Sequence, residues 1–140
     1  MSARSQRPPS LLFTLTGFSG LCAVALGALG AHALRESLTT RQSFDSWQTA
    51  SGYHLAHSVA ALGILVLGQA MPSSARLCGR IASLWLLGCL LFSGSIYSLS
   101  LGGPKWLGPV TPLGGLAFMA GWGGVVWLAW KLNPKSEPAP

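Results

Sequence analysis

The longest uncharged run in this sequence extends from Ser46 to Ala75, thirty residues without one Asp, Glu, Lys or Arg. An α-helix rises about 1.5 Å per residue, so about 20 apolar residues are enough to cross the hydrocarbon core of a bilayer. Only nine basic and three acidic residues occur among 140, and half of the chain is hydrophobic, a balance that argues against an ordinary soluble domain. The run therefore predicts a transmembrane helix within an integral membrane protein.

Three further runs of this kind flank the first, because the charged residues fall in groups between them. Four transmembrane spans are predicted, at about residues 11–34, 46–70, 80–101 and 109–131. Short connections require successive helices to run antiparallel, so we expect an all-α, integral membrane up-down four-helix bundle. This domain occupies residues 11–132, between a polar N-terminal tail at 1–10 and a Pro-rich C-terminal tail at 133–140.

The basic residues indicate which side of the membrane each connection occupies, since Lys and Arg are enriched in cytoplasmic loops. Six of the nine lie in the two tails, in the connection 71–80 and at the C-terminal end of the fourth span, whereas Arg35, Arg41 and Lys105 lie on the opposite side. We therefore expect both termini to be cytoplasmic. The net charge of +6 is spread over the loops rather than gathered on one helix face, so no nucleic-acid partner is indicated.

Small residues recur at four-residue intervals in the spans, as expected where helix backbones approach closely in lipid. The candidate packing residues are Ala23, Gly27 and Ala31 in the first span, Gly52, Ala56 and Ala60 in the second, Gly94 in the third, and Gly114 and Gly121 in the fourth. We expect these stripes to hold the helices together.

Polar side chains within the spans converge on the outer half of the bundle when the helices are placed antiparallel. The candidate polar pocket consists of His32, Tyr53, His54, His57, Ser95, Tyr97 and Thr111. His54 and His57 are three residues apart and Tyr53 and His57 four apart, so each pair shares a helix face. Ionisable residues inside a membrane are candidates for function, but neutral histidines also join helices through hydrogen bonds. Structural ties, ligand or quinone binding, and passage of protons or solutes all stay open.

Several other kinds of site are not indicated. Two imidazoles without nearby Cys, Asp or Glu in the spans do not form a metal-ligand set, and we predict no metal and no cofactor. The three cysteines predict no disulfide framework. The serines have no nucleophile partner in sequence context, and no phosphate-binding G-x-G-x-x-G motif is present, so no enzymatic activity is assigned.

Four motifs together resemble a known family. They are Gly27–Arg35 (GALGAHALR), Phe44 with Tyr53 and His57, Ser93–Tyr97 (SGSIY), and Thr111–Gly115 (TPLGG) followed by Gly121-Trp122. In this order and spacing they resemble domain-of-unknown-function family 423, which includes bacterial inner-membrane proteins and the mitochondrial transmembrane protein 256 group. The resemblance implies a four-helix protein of the cell inner membrane with uncharacterised activity. Its signature positions here are His32, Tyr53, His57, Tyr97, Thr111, Gly114, Gly115 and Trp122.

The leading hypothesis for function is association within the lipid bilayer. On this hypothesis the protein is an accessory or structural partner in a larger membrane complex or a homo-oligomer, and the glycine-lined helix faces motivate it. The alternative is a binder of a small apolar ligand, quinone or haem at the candidate polar pocket. A second alternative is a small proton or solute transporter, although no repeat of spans is evident.

Overall fold

A computed structural model describes residues 10–133 of this chain. The helices are α1 Ser10–Ala31, α2 Arg35–Thr40, α3 Phe44–Ala70, α4 Ala75–Gly88, α5 Gly94–Ser100 and α6 Val110–Leu132. A π turn at Cys89–Ser93 continues α4 into α5, so that these three elements form one span. Four segments are long and apolar enough to cross a membrane: Leu11–Ala31, Phe44–Ala70, Pro72–Ser100 and Lys105–Leu132. The predicted all-α membrane bundle of four helices is confirmed.

The helix ends differ from the predicted span ends by a few residues. Helix α1 ends at Ala31 rather than at residue 34, because the chain turns before α2 begins at Arg35. Helix α4 begins at Ala75 rather than at residue 80, and both Arg76 and Arg80 lie exposed within its first turns. A helix continues past its apolar core where long basic side chains reach water, so charge alone misplaced this boundary. The two predicted tails lie almost wholly outside the described residues.

Helix α3 and the third span form the centre of the bundle. Helix α1 packs mainly against α3, and α6 packs mainly against the third span, so α1 and α6 occupy opposite flanks. The larger core cluster joins α3, α4 and α6 and includes Leu65, Cys78, Ile81 and Trp85, all of them buried. The first span is therefore the least buried of the four, with 11% of the residues in its apolar 18-residue window buried.

The end of the bundle that carries α2 and the connection from α5 to α6 is called the α2 end here. Leu38 of α2 is fully buried at this end, where it packs with Trp47, Ala50 and Tyr97 in a second core cluster. The hydroxyl of Ser43 donates to the carbonyl of Ser100 at 3.0 Å. This hydrogen bond joins the connection between α2 and α3 to the end of α5. This end is therefore held by the packing of α2 onto the helices through Leu38 and by this hydrogen bond.

Several predicted small residues lie at close helix contacts. A Cβ at Gly114 would collide with the backbone of Phe92, and a Cβ at Gly121 would collide with the Trp85 ring. Ala23 is buried, and Gly27 faces Ser51 across the contact between α1 and α3. These positions need small residues because the neighbouring helix or ring occupies the space of a side chain.

The expected stripe in the second span lies elsewhere. Gly52 and Ala56 are exposed on α3, and nothing lies within 4 Å of a Cβ built at Gly52. Ala60 is partly buried against the core and Ala31 is partly buried at the end of α1, while Gly94 meets only an atom of its own span. A spacing of four residues places side chains on one face of a helix but does not say whether that face meets another helix or lipid. In α3 the face that packs against other helices carries His54 and His57.

Candidate functional site

The structure distributes the candidate polar residues over separate places. His54 and Tyr97 lie together beside α1, while His57 and Tyr53 lie in an aromatic cluster beside α6. Ser95 and Thr111 form a pair of their own. His32 is exposed just beyond the end of α1. The first two places contain the two buried histidines.

The first place is a cavity of about 320 Å³ between α1, α3 and the third span, called the α1 cavity here. Its walls are apolar, with Leu15, Phe18 and Leu26 from α1 and Leu86 and Leu90 from the third span. Phe18 is 64% exposed and Leu90 is 70% exposed, so the rim of the cavity lies on the lipid-facing surface. The α1 cavity therefore opens sideways into the bilayer.

The surface of the α1 cavity is almost wholly apolar, but three of its lining residues, Ser19, His54 and Tyr97, belong to one hydrogen-bond network. The ring of His54 lies between two hydroxyls, with Nε2 at 3.1 Å from Oγ of Ser19 and Nδ1 at 3.4 Å from Oη of Tyr97. Ser19 Oγ is also 2.7 Å from Oγ of Ser58, whose hydroxyl donates to the His54 carbonyl at 2.8 Å. These four side chains form a connected network that joins α1, α3 and α5, in an otherwise apolar environment.

The π turn fixes the third span against this network. Ser93, within the turn, donates to the Ala50 carbonyl at 2.9 Å, and the Cys89 thiol lies 3.7 Å from the His54 carbonyl. Both residues are buried between α3 and the third span. π turns within α-helices occur frequently at functional sites, because the extra residue redirects side chains. Here the turn directs Ser93 and Cys89 toward the helix that carries His54.

The second place is an aromatic cluster around His57. The His57 ring stacks on Phe118 with centroids 3.7 Å apart and meets the Trp85 and Trp122 rings edge-on at 6.2 Å. Nδ1 of His57 lies 2.8 Å from the Tyr53 carbonyl, and the Trp122 indole N–H donates to Nε2 at 3.2 Å. Both ring nitrogens are thus engaged within the protein, so this histidine joins α3 to α6.

The remaining candidates are simpler. Ser95 donates to the Phe92 carbonyl at 2.9 Å and lies 2.7 Å from the Thr111 hydroxyl. A serine has one proton, so Thr111 must donate to Ser95, which joins α5 to the start of α6. Tyr53 is half-exposed, and its ring rests against Phe92 at 5.0 Å. These contacts join neighbouring helices and do not line the α1 cavity.

Comparison with known sequences identifies the family. The profile described as "Protein of unknown function (DUF423)" matches residues 26–115. This chain belongs to the DUF423 family. The predicted resemblance is therefore confirmed, and the matched residues extend from the end of α1 to the start of α6.

Relatives of this DUF423 protein occur in bacteria and in a yeast. A UPF0382 membrane protein of Haemophilus influenzae is 38% identical over 110 residues, covering 78% of this chain and 85% of the relative. The UPF0382 membrane protein YwdK of Bacillus subtilis is 37% identical over 110 residues, with 77% and 86% covered. One from Schizosaccharomyces pombe is 35% identical over 117 residues, with 79% and 94% covered. No solved structure matches this chain.

The names of these relatives and the four apolar helices agree that the DUF423 chain is an integral membrane protein of uncharacterised activity. Among residues 10–133, no group of three His, Cys, Asp or Glu side chains could hold a metal ion. Both ring nitrogens of His54 and of His57 already have partners. The chemistry that this arrangement offers is hydrogen bonding within an apolar cavity.

Sequence reasoning missed three residues of these two places in the DUF423 chain, Ser19, Ser58 and Cys89, and it missed the donor role of Trp122. Ser19 and Ser58 each carried a usable signal, since a hydroxyl in an uncharged span is most stable when it faces another helix. The π turn, by contrast, has no signal in composition or spacing.

Proposed function

We propose that this DUF423 protein binds a small apolar ligand with one polar end, taken from the lipid phase into the α1 cavity. The observation that carries the proposal is that His54, Ser19 and Tyr97, which form one network, are among the lining residues of an apolar cavity that opens to lipid. Ligand pockets typically measure about 300–1,000 Å³ and combine apolar walls with a few polar groups. A cavity of about 320 Å³ lies within this range.

The arrangement explains why such a network is useful in a membrane. Lipid chains offer apolar contact everywhere, so apolar walls alone give little preference for the cavity over the bilayer. A polar ligand group in hydrocarbon lacks hydrogen-bond partners, and the network supplies them. Of the ligands considered from the sequence, haem fits poorly, because both nitrogens of His54 are already bonded within the protein. A quinone-sized head group agrees better with these atoms.

The proposal is tested by native mass spectrometry of the protein purified in mild detergent. The Leu86→Trp variant fills the α1 cavity, because Leu86 lines it, whereas Leu87→Trp adds the same ring at the adjacent, exposed position as a control. We expect an apolar adduct on the wild type and on Leu87→Trp, and its loss from Leu86→Trp. An adduct retained equally by all three proteins, or absent from the wild type, would contradict ligand binding in this cavity.

Association is the second candidate function. Gly52 and Ala56 lie four residues apart on the exposed side of α3 and contact no other helix closely, which leaves a small-xxx-small face free for a second copy or a larger complex. The test is chemical crosslinking in native membranes. Gly52→Leu should abolish a crosslinked species that Gly123→Leu, an equally open and exposed position on α6, retains. Monomers only in the wild type would count against association.

We infer further that the protein lies in a cell inner membrane with both termini in the cytoplasm. The inference is supported by the excess of Lys and Arg in the tails, at the start of α4 and at the end of α6, over Arg35, Arg41 and Lys105 at the α2 end. It is tested by attaching a reporter active only in the cytoplasm to either terminus. Transport gains less support, since the rings of Phe118, Trp85 and Trp122 pack around His57 inside the described bundle.

A further inference from the structure

The protons of the His54 network can be assigned by counting. Ser58 Oγ carries one proton. This oxygen lies 2.8 Å from the His54 carbonyl oxygen, which can only accept a hydrogen bond, so the Ser58 proton is used there. The 2.7 Å contact between Ser58 Oγ and Ser19 Oγ also needs a proton, since two oxygens do not approach so closely without one. That proton must come from Ser19. Ser19 therefore donates to Ser58.

The assignment then passes to the histidine. Because the Ser19 proton is used on Ser58, the 3.1 Å contact between Ser19 Oγ and His54 Nε2 needs its proton from the ring. His54 therefore carries its proton on Nε2, and Nδ1 is an acceptor in the neutral imidazole. The Tyr97 hydroxyl, 3.4 Å from Nδ1, is the donor in that last contact. This is the assignment in which each of the four contacts holds one proton.

Every hydroxyl and imidazole proton of the network thus points into the protein. The atoms left for the α1 cavity are the remaining lone pairs of Ser19 Oγ and Tyr97 Oη, and these are acceptors. The two thiols in the cavity lining, Cys22 and Cys89, are only weak donors. None of the eleven lining residues is charged. A carboxylate or phosphate would therefore be buried there without a counter-charge, at high cost.

Resting on the proposed ligand-binding function, we propose that the polar end of the ligand is an uncharged hydroxyl that donates its one proton to Ser19 Oγ. The ligand class is a membrane alcohol, such as a long-chain or isoprenoid alcohol or the hydroxylated, reduced form of a quinone. A ketone, an ether or an oxidised quinone presents only acceptors and would face the acceptors of the network. The α1 cavity thus selects for a donor.

The experiment compares two photoactivatable probes in lipid nanodiscs. Both are 16-carbon chains with the same diazirine, and they differ only in ending in a hydroxyl or in a methyl ether. Labelled residues are mapped by mass spectrometry. We expect saturable labelling of cavity residues such as Leu86 and Leu90, about fivefold stronger for the alcohol, as one hydrogen bond implies.

Two variants test the assigned protons. Ser19→Ala removes the acceptor of His54 Nε2–H and frees a donor toward the cavity, so the preference for the alcohol should fall to about one. Tyr97→Phe frees His54 Nδ1, which is an acceptor, so the preference should persist. Ser83→Ala is the control, since Ser83 donates to the Gly79 carbonyl and does not line the cavity.

The outcomes separate the two proposals. Equal labelling of the cavity residues of the wild type by alcohol and ether would overturn the inference and leave ligand binding intact. No saturable labelling of these residues by either probe would overturn both. The comparison within the wild-type protein decides the question even where a variant fails to fold.

Discussion

The indole N–H of Trp122 donates to Nε2 of His57 at 3.2 Å, midway along two helices of the bundle. His57 lies thirteen residues after Phe44 and thirteen before Ala70, the ends of α3. Trp122 lies twelve residues after Val110 and ten before Leu132, the ends of α6. A hydrogen bond at this depth has no water to replace it, so it gives α3 and α6 a fixed contact at the centre of the membrane.

Removing this donor should weaken the bundle. Trp122→Phe keeps a ring at the position but leaves Nε2 of His57 without a partner, and we expect a loss of about 1 kcal/mol in the free energy of unfolding. Unfolding by SDS in mixed micelles measures it. The control is Trp127→Phe, because Trp127 is exposed and its ring contacts Trp130 on the same helix. Equal losses in the two variants would show that the hydrogen bond contributes nothing measurable.

The two buried histidines should be opposite tautomers. The Tyr53 carbonyl can only accept, so His57 carries its proton on Nδ1 and uses Nε2 to accept from Trp122. His54 carries its proton on Nε2 and donates to Ser19. Nitrogen NMR of ¹⁵N-histidine protein in nanodiscs distinguishes these forms, since the protonated nitrogen is coupled to its hydrogen. The variants His32→Ala and His57→Gln assign the signals, and matching tautomers would contradict the network.

Close helix contact should make Gly114 intolerant of substitution. Gly114→Ala places a methyl group on the backbone of Phe92, within the π turn, and neither backbone can move without repacking. We expect a loss of about 1–3 kcal/mol in unfolding free energy, as for overpacked cores. Gly63→Ala provides the matched control, since no atom lies within 4 Å of a Cβ built there. A Gly114→Ala protein as stable as Gly63→Ala would mean that α6 packs differently.

Helix α1 should depend on Trp47 for its position. The buried Trp47 side chain donates to the Leu26 carbonyl at 2.9 Å, and its ring lies directly against Gly30. Trp47→Phe loses this donor and should reduce stability by at least about 1 kcal/mol. Trp106→Phe, at a position 69% exposed, should be neutral in the same unfolding assay. If both are neutral, other contacts hold α1.

The spans were predictable because hydrophobicity and charge can be read directly from the sequence. The separation of the polar residues into two places, one around His54 and one around His57, was not predictable. His54 and His57 are three residues apart, which separates them by about 60° around the helix axis. On a surface helix this is one face. Helix α3 packs on both sides, however, so the same angle sends His54 toward α1 and His57 toward α6.

Other features of the site depend on three-dimensional packing that no local pattern reports. The π turn at Cys89–Ser93 is one extra residue in a helical turn, and its composition is that of any apolar span. Gly52 and Ala56 have the spacing of a packing stripe, yet they face outward because Ala50, His54 and His57 occupy the inward face. Ser19 was identifiable in principle as a hydroxyl within an uncharged run.

The central claim is that the α1 cavity binds a membrane alcohol at the His54 network. The most direct test is to record the ¹⁵N spectrum of the histidine rings while hexadecanol is added to the protein in nanodiscs. Hexadecane at the same concentration controls for changes in the bilayer. We predict that hexadecanol shifts the His54 signals saturably and leaves those of His57 unchanged, since His57 lies outside the cavity lining. The account would be contradicted if hexadecanol did not shift the His54 signals. It would also be contradicted if hexadecanol and hexadecane shifted the signals of both histidines equally.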